Sequence, residues 1–114
     1  MPLLKIQTNQ NVPDGKRDAL LKKVSRAVAQ QLGKPEQYMM VSLAAGQPMV
    51  FAGTSEPAAF MDLRAIGLPS DKTGQLAALL CDLAKAELGV AKERVYINFT
   101  DVPANLWGWN GETF

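Results

Sequence analysis

Histidine is absent from this chain of 114 residues, and cysteine occurs once, at Cys81. Without imidazole there is no Ser-His-Asp or Cys-His nucleophile, no histidine-ligated metal and no histidine pH switch. A single cysteine excludes a disulfide within the chain and a cysteine zinc cluster. Neither sign of charge predominates either. Twelve basic residues against 11 acidic leave a net +1, too little for nucleic-acid binding driven by phosphate neutralisation. No apolar run approaches the roughly 18–20 residues that span a bilayer, so no membrane partner is expected. Lys5 and Gln7 interrupt what would be the apolar region of a secretory signal, which gives an expectation of a cytoplasmic location. The acidic residues are scattered without the spacing of a metal site, so no metal is expected. What is present, 47% apolar residues, suits one domain over residues 1–114 with a single core.

The chain reads as one unit written twice, over about 1–57 and 58–114. Pro2–Thr8 alternates as a strand does, and Pro13-Asp14-Gly15 stops it and starts a helix. Leu20, Val24, Ala27, Val28 and Leu32 then recur at helical spacing, with Lys22, Lys23 and Arg26 opposite as a solvated face. Gly33 is the helix stop and Pro35 prevents continuation. Tyr38–Leu43 is apolar enough for a buried strand. In the second half Ala59–Ile66 predicts a strand and Gly67–Asp71 a turn. Leu76, Leu79, Leu80, Leu83 and Leu88 form a helical stripe ended by Gly89, and Arg94–Phe99 a further strand. An offset of 56 residues lays Leu32-Gly33 on Leu88-Gly89 and Val41 on Ile97. Two β-α-β units give an α+β, two-layer protein: a four-stranded mixed sheet with both helices on one face, a ferredoxin-like arrangement with parallel pairing inside each unit. Met39 and Val41, with Met40 and Leu43, put apolar residues on both faces of the second strand. The face without helices is then an apolar patch, and a homo-oligomer that buries it is expected.

In a chain without histidine the best general base is an α-amino group, whose ordinary pKa lies near 7.7–8.0. Pro2 follows the initiator methionine, and removal of Met1 would leave a secondary amine at the chain start. Apolar burial or a neighbouring cation would keep such an amine neutral at pH 7. While Met1 is attached, the Pro2 nitrogen is an amide and cannot act as a base. Lys34, just past the first helix, suits either a substrate carboxylate or the helix dipole. Tyr96 and Asn98, two apart in a strand, leave the same face. Asn98 is either a pocket residue or a satisfied core polar group. Trp107, Trp109 and Phe114 crowd the C-terminal segment as a lid on the core or, favoured by Gly108 and Gly111, the wall of an apolar pocket. Cys81 reads as a packed, inert thiol. Gly53-Thr54-Ser55-Glu56-Pro57 lacks the Walker lysine and carries a repelling Glu56, so it is no phosphate loop.

Met1-Pro2, Gly33-Lys34-Pro35 with Gln37-Tyr38, Ser55-Glu56-Pro57, Ala65-Ile66-Gly67, Arg94-Val95-Tyr96-Ile97-Asn98-Phe99, and Gly108-Trp109-Asn110 with Thr113-Phe114 together resemble the macrophage migration inhibitory factor family, part of the tautomerase superfamily with an N-terminal catalytic proline. The resemblance runs from end to end. It implies a homotrimer with sheets around a central channel and keto–enol tautomerase activity on phenylpyruvate-like 2-oxo acids or their enols. It also implies dopachrome-type isomerisation without a cofactor. Carried over by position, Pro2 is the base, Lys34 binds the substrate carboxylate and Ile66 contributes its backbone N–H. Tyr96 and Asn98 enter the pocket of a neighbouring subunit, and Trp109 and Phe114 are its walls. Trp107 stands where the family often has an aliphatic residue, which implies a narrower or flatter pocket. Animal cytokine members carry a cysteine pair where this chain has Ala58 and Met61, so two-cysteine redox chemistry does not transfer. Gln10–Asp18 also fits the animal proteins poorly. A non-enzymatic, signalling member of the family with an idle pocket is the alternative implied.

Overall fold

The computed structural model describes residues 1–114. Strand β1 covers Pro2–Thr8, helix α1 Asp14–Leu32, strand β2 Met40–Ala44, strand β3 Ala59–Ile66, helix α2 Thr73–Leu83 and strand β4 Val95–Val102. A small hairpin, β5 (Gly108–Trp109) and β6 (Glu112–Thr113), closes the chain. The main sheet has the order β2-β1-β3-β4. Each unit pairs its own two strands in parallel, β1 with β2 and β3 with β4, and the units meet through antiparallel β1 and β3. A helical crossover of this length returns the chain beside the strand it left, which is why the strands of one unit stay adjacent.

Burial follows the strand period. Leu4 and Ile6 of β1 and Met61, Leu63 and Ala65 of β3 are buried. They oppose one another in register, Leu4 beside Leu63 and Ile6 beside Met61. Against them α1 lays Leu20, Val24, Val28 and Leu32, and α2 lays Leu76 and Leu80. The stripe Leu76, Leu80, Ala84, Leu88 steps by four residues, and at 3.6 residues per turn each step drifts about 40° off the core. A π turn over Ala84–Leu88 takes up that drift, so Ala84 and Leu88 remain buried. No helix of the chain is long and apolar enough to cross a membrane.

Two expectations are corrected. The second strand begins at Met40, not Tyr38, because Pro35 opens a 3₁₀ turn over Glu36–Tyr38 whose bonds, Tyr38 N–H to Pro35 O and Met39 N–H to Glu36 O, hold those residues off the sheet. The face without helices is also not uniformly apolar: Met40 and Leu3 on one side and Phe60 and Tyr96 on the other flank a polar centre. Val41 and Leu43 stand beside Leu4 and Ile6 on the helix side, while Ser42 stands beside Lys5. Met40 and Leu43 are three apart and cannot share a face of a strand with period two. Across the open face runs a polar row, Ser42, Lys5, Asp62, Asn98, in consecutive register. Asp62 Oδ2 accepts from Arg64 Nε at 3.2 Å and Nη2 at 2.9 Å, and Oδ1 accepts from Asn98 Nδ2 at 3.1 Å. The hydrogen bond from Arg64 leads in holding the Asp62 carboxyl below its ordinary value.

Candidate functional site

The start of β1 and the C-terminal hairpin share a cavity. Its volume is about 390 Å³, and it is lined by Met1, Pro2, Leu3, Gln37, Tyr38, Met39, Met40, Trp107, Gly108, Trp109 and Phe114. The wall is built locally. Asn110 and Gly111 adopt φ of 55° and 79°, the left-handed pair that a tight hairpin requires and that Asn-Gly supplies most readily. The turn folds Trp109 back opposite Glu112. Phe114 N–H then bonds Trp107 O at 3.2 Å. The Trp109 and Phe114 rings stack with centroids 5.8 Å apart, and Tyr38 meets Trp109 edge-on at 5.7 Å. Such pairs hold one another in place beyond simple area burial.

Lys34 stands beside this cavity rather than in its lining. Gly33 at φ 67° ends α1, and Lys34 N–H reaches back to Ala29 O at 3.0 Å, a Schellman closure that fixes where the lysine leaves the helix. Its Nζ donates to Ile66 O at 3.2 Å. Ile66 follows Ala65, the register partner of Pro2, so the ammonium lies next to the chain start. Burial first, and the Lys34 charge second, hold the Met1 amino group below its ordinary value.

Of the residues predicted from sequence, the structure brings Pro2, Trp107, Trp109 and Phe114 together around the cavity. Lys34 and Ile66 meet each other beside it, through the Ile66 carbonyl. Tyr96 and Asn98 are not near it within one chain. They lie on β4, at the opposite edge of the sheet from β2, and Tyr96 is 67% exposed. Asn98 is satisfied on the open face by Asp62 and by Thr100 Oγ1 at 2.9 Å. Sequence reasoning missed Tyr38 as a wall residue, and Gln37, Met39 and Met40 with it. The available signal was Pro35, which sets the turn that presents Tyr38. Residues 51–57 form no anion cradle: their carbonyls point at Arg94, which bonds Pro57 O, Phe51 O and Glu56 O at 2.8, 3.1 and 3.0 Å. Burial leads in pushing the Cys81 thiol up, which keeps it protonated.

Fold and site together define a class: a small two-layer α+β protein of paired β-α-β units, with an aromatic cavity where its chain begins. The chain belongs to the macrophage migration inhibitory factor (MIF) family, whose model matches residues 1–114. The MIF homolog of Brugia malayi is 40% identical over 116 residues, covering all of this chain and 99% of its own. Rat macrophage migration inhibitory factor is 38% identical over 118 residues with the same coverage. The crystal structure of the MIF homologue from Prochlorococcus marinus matches with a TM-score of 0.93 at 42% identity, covering 98% of each chain.

Proposed function

We propose that the protein is a cofactor-independent keto–enol tautomerase of phenylpyruvate-like 2-oxo acids, able also to isomerise dopachrome-type substrates, with the Pro2 nitrogen as general acid/base once Met1 is removed. The observation that carries this is the aromatic cavity at Pro2 with the Lys34 ammonium beside it, surroundings that already hold the Met1 amino group below its ordinary value. A secondary amine left at Pro2 would stand beside the same apolar wall and the same lysine, and both influences lower the pKa of an amine. It takes a proton from the carbon next to the substrate carbonyl. The electron pair of that C–H bond becomes the C=C bond of the enolate, and the protonated nitrogen delivers its proton to the oxygen. The reverse sequence regenerates the keto acid. Lys34 pairs with the substrate carboxylate, giving up its bond to Ile66 O. Trp107, Trp109 and Phe114 receive the phenyl ring and exclude water, which strengthens both charge interactions.

The reading includes a homotrimer in which Tyr96 and Asn98 of a neighbouring copy complete the cavity, since one chain leaves them exposed at the far sheet edge. The test is an alanine inserted between Met1 and Pro2, which leaves the proline nitrogen in an amide. With processing of both proteins checked by mass spectrometry, turnover of phenylpyruvate should fall about 10²- to 10⁴-fold, the usual worth of a positioned general base. Equal turnover overturns the assignment. The name of the rat relative, macrophage migration inhibitory factor, describes an effect on cell migration. A protein acting only through its surface would show no turnover in either form.

A further inference from the structure

Arg94 is the side chain with the most hydrogen bonds in the molecule that the proposed reaction does not use. Besides the three carbonyls of Pro57, Phe51 and Glu56, its Nη2 reaches Thr54 O at 3.4 Å. The guanidinium carbon lies 5.2 Å from the centre of the Phe51 ring, a cation–π distance. Phe51 and Thr54 also bond each other through both backbone pairs, at 2.9 and 3.1 Å. The ring is therefore fixed from two sides. Its edge contact is Tyr96, with centroids 4.7 Å apart and planes at 66°.

An exposed tyrosine has two free χ angles, and immobilising such a side chain on association costs affinity. We infer that Arg94 and Phe51 are positioning residues: they hold the Tyr96 ring in one orientation before a neighbouring copy or its substrate meets it. This rests on the reading of Tyr96 as a wall of a neighbour's cavity. Arg94 carries the loop, Phe51 carries the ring contact, and Tyr96 alone touches substrate.

The test is a double-mutant cycle on phenylpyruvate turnover. Phe51→Leu removes the ring but keeps the Phe51 backbone carbonyl that Arg94 needs, so the loop stays closed. KM should rise about three- to tenfold with kcat nearly unchanged, the fold-change matching that ordering cost. Phe51→Tyr should restore the KM. In a Tyr96→Ala background, Phe51→Leu should change KM no further, because coupled residues are not additive. An equal KM rise in both backgrounds, or no rise in either, overturns the inference while leaving the proline chemistry intact. A Tyr96→Ala variant with unchanged KM overturns the Tyr96 assignment and the inference together. A protein without turnover would defeat the enzymatic reading itself. The inference is then decided by NMR of tyrosine-labelled protein, which has only Tyr38 and Tyr96 to resolve. Phe51→Leu should loosen the Tyr96 ring and leave Tyr38 unchanged; an equally ordered Tyr96 ring overturns it.

Discussion

The two halves of the chain both end their helices on a left-handed glycine and then part. Gly33 and Gly89 sit at φ 67° and 68°. Lys34 N–H returns to Ala29 O and Val90 N–H to Ala84 O, at 3.0 and 3.2 Å. Each is followed by a 3₁₀ turn, Glu36–Tyr38 in one half and Lys92–Arg94 in the other, and then by a strand. The residue after the glycine differs. Val90 is fully buried and plugs the second half; Lys34 is half-buried and puts a cation beside the chain start. The last turn residue differs as well. Arg94 clamps the 51–57 loop over its end of the sheet, whereas Tyr38 braces Trp109 at the rim of an open cavity. The backbone is common property of both halves, and the chemistry sits where the apolar plug is replaced.

Exchanging the two residues breaks the comparison most severely at the plugged end. Val90→Lys should destabilise the protein by about 3 kcal/mol or more, since an ammonium there has no partner and must be neutralised or forced outward. Urea unfolding measures it. A loss below about 1 kcal/mol would mean the lysine stem snorkels to water, and that the second end opens as readily as the first. The opposite exchange, Lys34→Val, should leave stability nearly unchanged and raise the KM for a carboxylate substrate about tenfold, or about 1.4 kcal/mol. It should also shift the pH profile. After burial, the lysine charge is what lowers the Met1 amine, and a free Pro2 amine beside the same lysine should be lowered likewise, so removing the charge should raise its pKa and move the acidic limb of kcat/KM to higher pH. An unmoved limb with unchanged KM would separate Lys34 from the site.

These differences were only partly legible in the sequence. Strand β1 and helix α1 were readable to their ends, because Pro13, Asp14 and Gly33 punctuate a clear change of period. The wide turn at Ala84–Leu88 was not: leucines four apart look like an ordinary helical stripe until a core fixes their direction. The open face is not legible from apolar content alone, because parity decides it: Leu43 pairs with Ile6 on the helix side and Met40 with Leu3 on the other. The aromatic wall was visible as composition, but its hairpin was overlooked although Asn110-Gly111 spells it out. Nothing along one chain shows that Tyr96 and Asn98 stand at the far edge from Pro2. That is a property of strand order, which periodicity within a strand does not encode.

The smallest effect tests how closely the two caps correspond. Neither Gly33 nor Gly89 has any heavy atom within 4 Å of where a Cβ would stand. Alanine at either position therefore meets no clash, only the cost of holding a side chain in the left-handed region, about 1–2 kcal/mol less a few tenths regained from a stiffer unfolded chain. Gly33→Ala and Gly89→Ala should thus each cost about 1 kcal/mol, with melting temperatures lowered equally by about 5 °C in a domain of this size. Activity should separate them. Gly33→Ala loosens the closure that aims Lys34, so KM should rise about two- to threefold, the share of a charge-assisted bond lost to misplacement; Gly89→Ala aims only Val90 and should leave KM alone. Unequal melting shifts would show that the helix ends are not equivalent. An unchanged KM in Gly33→Ala would show that Lys34 finds its place without the cap, and that its chemistry depends on reach rather than on the helix that delivers it.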